Sequence, residues 1–284
     1  KETLKSSWKL AKRVLIVGLG KQAAFDIAAF RRAVSAAAAL IRGTRIGDIT
    51  SYLGLQNIEG ANAYYLARYT VETIGTSLYS YNETKSGHRP RAAALKKVGF
   101  GTGSRADSAK AVRGGEHAAA IVEGMSLARD LGNLPPNICT PAYLARMAKK
   151  LDHRFKMIGT RVLGEAEIKR LGMHSFLSVT AGTPLPAKLI LMQYRGGGRD
   201  KPIVLVGKGV TFDAGGISLK PGSGMDEMKF DMCGAASVIG TILVAAKLKL
   251  PVNLNVVVPA CENLPSGPAT VSYTHLTLPP ILRV

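Results

Sequence analysis

VGKGVTFDAGGISLKPGSGMDEMKFDMCGAASVIG, residues 206–240, is the stretch from which the fold of this chain is read. An apolar strand over residues 202–207 runs into a glycine-rich loop, and a helix opening on Gly234, Ala235 and Ala236 follows it. Strand, loop and small-residue helix make an α/β unit, in which ligands sit at the carboxyl ends of the strands. The loop packs Lys208, Asp213, Lys220 and Asp231 into one glycine-rich segment. Such a density of paired charge is costly to bury unless something compensates it, and a bound cation or anion does so. The bland alternative is a set of surface salt bridges, each worth ~0–1 kcal/mol.

Working outward, residues 254–258 read as the next strand, with a helix over 234–249 between it and the strand at 203–207. Residues 156–162 and 189–194 read as further strands, and 141–151 and 165–171 as helices. Strand, helix and strand at this spacing predict a mostly parallel sheet covered by helices. Nearer the amino end, the β-branched run at 13–20 (RVLIVGLG) predicts a buried strand entering a turn, followed by an alanine-rich helix over 23–41. Helices over 58–73 and 108–131, a Lys/Gly/Arg/Pro loop at 85–91 and a strand at 93–101 complete a small α/β domain. The organisation expected is therefore an N-terminal domain over 1–105, a linking helix and proline-marked turn over 106–136, a second domain over 137–270, and a separate tail over 271–284.

Composition narrows the function classes. Hydrophobic residues make up 46% of the 284, enough for substantial cores. The apolar runs near Ala36 and Val238 are shorter than the ~20 residues that span a bilayer, so no membrane partner is expected. Three scattered cysteines, Cys139, Cys233 and Cys261, suit a reducing cytoplasm better than a disulfide framework. Five histidines show no paired metal-ligand spacing. The net charge of +19 is spread over both halves, with 19 Lys and Arg against 8 Asp and Glu up to residue 120 and 19 against 11 beyond it. Diffuse charge of this kind allows weak binding to DNA or another polyanion, the rival reading, but lacks the clustered footprint of a nucleic-acid reader. A second rival, dinucleotide binding at Gly18–Ala23 (GLGKQA), lacks the acidic residue that should follow ~20 positions on.

The strings VGKGVTFDAGGISLKP (206–221) and MDEMKFDMCGAA (225–236), with NLPPN at 133–137 and VPACENLPSGPAT at 258–270, strongly resemble the leucyl aminopeptidase family, metallo-exopeptidases of the M17 type. The resemblance implies a macro-like N-terminal α/β domain and a C-terminal α/β metallopeptidase domain. It implies that Lys208, Asp213 and Asp231 ligate two divalent cations, Mn²⁺ or Zn²⁺ with Mg²⁺ as a further candidate. Asp213 would bridge the two ions, and a hydroxide shared between them would be the nucleophile. Lys220 would be catalytic, stabilising an oxyanion, and Met228 would line the pocket for the first side chain of a peptide substrate. Cytoplasmic location and a homo-hexamer are implied as well. The residue types suit the chemistry: carboxylates favour hard divalent cations, and a lysine ligates once a neighbouring dication has depressed its pKa.

The resemblance stops at Thr270. An Asn-Thr-Asp-Ala-Glu-Gly-Arg block, which in the family supplies further metal ligands and an arginine holding bicarbonate, is not in this sequence. VSYTHLTLPPILRV, residues 271–284, resembles translated adaptor sequence instead. The expectation is an aminopeptidase fragment, truncated at both ends and inactive alone.

Overall fold

The computed structural model describes residues 11–86, 94–267 and 269, so the tail at 271–284 and most of the loop at 85–91 lie outside the described residues. The chain divides into two compact units, Lys1–Val122 and Glu123–Val284.

In the first unit Asp26 caps helix α1 (Ile27–Ile41), its carboxylate accepting the Ala29 N–H at 2.7 Å. Strand β1 (Asp48–Ser51) follows. Helix α2 (Ala63–Leu78) is capped by Asn62, which accepts from the N–H groups of Tyr64 and Tyr65. Strand β2 (Lys97–Phe100) pairs parallel with β1, and helix α3 (Arg105–Asn133) begins after it. Phe30, Val34 and Ala38, one stripe of α1, bury against Ile58, Leu66 and Ile74.

Two expectations fail here. The second helix starts five residues later than its apolar pattern predicts, because Asn62 supplies the cap and Ile58 is held in an isolated bridge with Ala61. The run at 13–20 is neither a strand nor buried, with Val14, Leu15 and Ile16 exposed by 57%, 47% and 89%. β-propensity expresses fit to a half-buried pleated surface, and no strand among the described residues pairs with this run. The glycines at 18–20 therefore do not form the strand-to-helix turn that dinucleotide binding requires.

The second unit runs α4 (Pro141–Arg154), β3 (Ile158–Leu163), α5 (Glu165–Arg170), α6 (His174–Val179), β4 (Lys188–Arg195), β5 (Ile203–Val206) and β6 (Gly209–Asp213). A 3₁₀ turn (Met225–Phe230), α7 (Cys233–Leu248) and β7 (Asn253–Asn263) complete it. The sheet order is β3-β4-β7-β5, with β6 also on β7. β5 and β6 run parallel to β7, as the strand–helix–strand spacing predicts, while β3 with β4 and β4 with β7 are antiparallel. The α/β class holds, and the sheet expected to be mostly parallel is mixed.

Helix α7 packs on β4, β5, β6 and β7. With the preceding turn, Met225–Leu248 is long and apolar enough to cross a bilayer, yet half of its most apolar 18 residues are buried, and Ile239, Ile242 and Leu243 are at most 2% exposed. It is the core helix of a sheet. Gly240 of α7 and Gly124 of α3 cross at backbone distance: a Cβ on Gly240 would come within 2.6 Å of the Gly124 carbonyl oxygen.

Beside this crossing, Glu123 accepts a hydrogen bond from Arg154 at 2.7 Å and pairs with Lys247, tying α3, α4 and α7 together. Burial pushes the Glu123 carboxyl up, but the bonds from Lys247 and Arg154 outweigh it and hold the group below the usual range. A depressed folded pKa means that the pairing stabilises above the ordinary glutamate range and is lost as pH falls through the lowered value. Glu123→Gln should therefore lower the Tm at neutral pH, and the gap to the parent chain should shrink below about pH 4. Thermal melts across pH check this; a gap independent of pH would refute it.

Candidate metal centre

β5 and β6 are a single strand in register with β7. Ile203 lies opposite Leu254 and Gly209 opposite Ala260, the same offset on both sides of a break at Gly207 and Lys208. Carried through the break, that offset sets Lys208 against Pro259, and proline has no N–H to give the ladder. The Lys208 carbonyl turns instead to the first turn of α7, accepting the Ala235 N–H at 2.9 Å. Strand and helix backbones touch there: a Cβ on Gly207 would lie 2.7 Å from the Gly234 carbonyl oxygen, and one on Gly234 would lie 2.9 Å from the Lys208 nitrogen. Only glycine fits at both positions. Lys208 is thus anchored where the strand leaves the sheet.

A second irregularity aims Asp213. Val210 pairs with Cys261, but Asp213 pairs with Asn263, so one extra residue has entered β6. Because side chains alternate along a strand, that insertion changes the face to which Asp213 points. The residue is 9% exposed. Its Oδ1 accepts from Asn263 Nδ2 at 2.7 Å and from the Gly215 N–H at 3.0 Å, and its Oδ2 accepts from Lys220 Nζ at 2.7 Å. Burial pushes the Asp213 carboxyl up, but the bonds from Lys220, the Gly215 N–H and Asn263 together bring it below the usual carboxylate range.

The loop that returns Lys220 is closed by its own N–H, which donates to the Ala214 carbonyl at 2.9 Å. Gly215, at φ +94°, makes the reversal, and a side chain there would meet the Ser218 carbonyl oxygen at 2.4 Å. Lys220 Nζ also lies 3.2 Å from the Met228 sulfur in the 3₁₀ turn. That turn ends at Asp231, just before α7, where the partial positive charge of the helix start favours a carboxylate.

Asp231 Oδ1 pairs with Lys208 Nζ at 2.7 Å. Its Oδ2 is buried and has no hydrogen-bond partner among the described residues. The two groups, Lys208 with Asp231 and Lys220 with Asp213 and Met228, share a neighbour in Cys261. Burial pushes the Cys261 thiol up to about 12, and it also feels the charges of Asp213, Lys208 and Asp231.

The donor set fits a hard cation. A buried carboxylate oxygen without a partner is rare and costly, and a metal ion would satisfy it. Among the described residues no three His, Cys, Asp or Glu side chains gather at one point, so a cation here would have the two aspartates and the Lys208 nitrogen as its candidate donors. The sequence reading missed Asn263. Its signal was Glu262-Asn263, two polar residues ending an apolar strand, both of which are buried. A hollow of about 720 Å³ along α3, lined by Arg105, Val112, Arg113, Glu116 and His117, contains none of the residues above.

Known proteins resemble this chain in sequence and fold. The cytosol aminopeptidase family's catalytic-domain model matches residues 126–273, and its N-terminal-domain model matches residues 3–88. The probable cytosol aminopeptidase of Pseudomonas aeruginosa (strain UCBPP-PA14) is 47% identical over 261 residues, which is 92% of this chain and 52% of that protein. The corresponding protein of Paraburkholderia phytofirmans (strain DSM 17436 / LMG 22146 / PsJN) is 48% identical, over 92% and 51%. The chain thus spans about half the length of the curated relatives it matches. Among solved structures, the bottromycin maturation enzyme BotP in complex with Mn superposes with a TM-score of 0.77 at 32% identity, over 89% of this chain and 51% of that one. With both of the family's domain models matched in order along it, this chain belongs to the cytosol aminopeptidase family.

Proposed function

We propose that this chain binds divalent metal and serves the removal of N-terminal residues, leucine-like ones preferred, from peptides in the cytosol. The observation that carries the reading is the buried Oδ2 of Asp231, without a partner among the described residues, on a carboxylate whose other oxygen pairs with Lys208. The Mn bound by BotP, a similar fold, supports manganese as the ion to test first. Lys208, Asp213 and Asp231 would hold the metal. When bound, such an ion polarises a carbonyl and lowers the pKa of water enough to furnish a nucleophile near neutrality.

The remaining work falls to side chains of the chain itself. Lys220, an ammonium held by Asp213 and partly open to solvent, would donate to the oxygen of an attacked peptide carbonyl as charge develops there. Asp231 offers a carboxylate that attracts the free α-amine of a substrate, which selects amino termini. Met228, flexible and apolar next to Lys220, suits a leucine-like side chain.

Three ligands suffice for one ion, and the Asp-Ala-Glu-Gly-Arg block that would complete a second metal site and bind bicarbonate is not in the sequence. We therefore propose that the 284-residue chain binds Mn²⁺ but hydrolyses little by itself. Mn²⁺ titration followed by electron paramagnetic resonance, paired with a leucine p-nitroanilide assay, tests both parts. Saturable, EDTA-reversible binding without p-nitroaniline release is the expected result. Absence of binding would sink the metal reading, and metal-dependent release would sink the inactivity. Light scattering on the same sample reads the hexamer that the resemblance implies.

A further inference from the structure

We propose that Asn263 is the positioning residue of the metal centre: it takes up Oδ1 of Asp213 so that Oδ2 is the oxygen presented to a cation. The proposal rests on the metal-binding reading above.

A carboxylate oxygen has two lone-pair directions. Both directions of Asp213 Oδ1 are met by donors fixed to the fold, the Gly215 N–H at 3.0 Å and Asn263 Nδ2 at 2.7 Å. Among the described residues Oδ2 meets only the Lys220 ammonium, on a flexible stem that can withdraw. The orientation of the Asn263 amide follows from chemistry, since an ionised carboxylate only accepts, and turning the amide over would set oxygen against oxygen.

Asn263 is itself held from both sides. It is 6% exposed, it stands opposite Asp213 in the register of β6 on β7, and its carbonyl accepts the Ala214 N–H at 2.9 Å. Donor and acceptor therefore sit on neighbouring strands beside the bulge, and the carboxylate plane is set before any ligand arrives. Preorganisation of this kind removes the cost of ordering a ligand side chain at the moment of binding.

The test uses the full 284-residue chain and Mn²⁺ alone, with isothermal titration for affinity and thermal unfolding for fold. Asn263→Leu, which keeps the branched skeleton but has no donor, should weaken Mn²⁺ binding by about 10-fold or more, within the range typical of groups that orient a metal ligand. Asn263→Gln, which keeps an amide donor, should recover part of that loss. Thr211→Val is the structural control. It removes a buried bond between the same two strands, from Thr211 Oγ1 to the Cys261 carbonyl at 3.2 Å, without touching Asp213. It should lower the Tm while leaving Mn²⁺ affinity within about twofold, as expected of a residue not coupled to the site.

Should Asn263→Leu fail to fold, Asn263→Ser, shorter and less disruptive, is read in its place with the same expected direction. A folded Asn263→Leu or Asn263→Ser with parental Mn²⁺ affinity overturns the positioning role while leaving metal binding intact. Loss of affinity in Thr211→Val equal to that in Asn263→Leu also overturns it, because general loosening of the strands would then explain both. A parent chain that binds no Mn²⁺ removes the metal reading and the positioning role together.

Discussion

Asp213→Asn is expected to weaken Mn²⁺ binding by more than about 100-fold, beyond the loss typical of a group that only orients a ligand. The substitution keeps size and shape, so the bonds from Asn263 and the Gly215 N–H retain an oxygen to meet, but the charge that attracts the cation is gone. Asp213 carries that charge fully at neutral pH because, against the effect of its burial, its three donors hold it below the usual range. The fold should tolerate the change. Lys220, left without its partner, is 36% exposed and turns to water, so the cost is expected near that of an exposed pair, about 1 kcal/mol or less. Titration calorimetry and thermal melts separate the two effects. Parental affinity in a folded Asp213→Asn would mean that the cation, if bound, sits elsewhere.

The second large effect is on stability. Gly240→Val places a branched side chain where α7 crosses α3, against a carbonyl oxygen 2.6 Å from the first added carbon. Overpacking of this kind costs about 3 kcal/mol when backbones must separate, and for a domain this size that lowers the Tm by roughly 6–12 °C. Gly124→Val presses on the same contact from the other helix, with its Cβ 2.7 Å from the Gly240 carbonyl oxygen. The two changes should be less than additive when combined, since either one already opens the crossing. Mn²⁺ affinity should fall too, because the first turn of α7 fixes the Lys208 carbonyl and follows directly on Asp231. A Gly240→Val chain that melts with the parent would show that the helices are not in contact in solution.

Much of this was legible before any coordinates. The strand–loop–helix unit at 203–249 and the charge pairing of Lys208, Asp213, Lys220 and Asp231 are local facts, set by small residues and paired charges within one stretch. Strands β3 and β4 were equally plain, yet their antiparallel pairing depends on partners distant in sequence, and apolar alternation does not state direction. β6 was invisible because Gly209–Asp213 carries the loop's glycine and charge, and its place in the sheet is granted by β7, fifty residues later. Asn263 was missed for the same reason: nothing near it in sequence says that Asp213 lies across from it. The exposed run Val14-Leu15-Ile16 shows the converse, a strong local pattern with no partner to complete it.

The paired strand also works as a gauge. Counting along β5 and β6 against β7, the spacing holds constant past Pro259 and then slips by a single residue before Asp213. Lengthening or shortening the chain between Lys208 and Asp213 by one residue would therefore turn the carboxylate to the opposite side of the sheet, whereas the loop between Gly215 and Gly224 has no such count to keep. Over evolutionary time, and in any attempt to graft this centre onto another sheet, the first interval should behave as a ruler of fixed length and the second as slack.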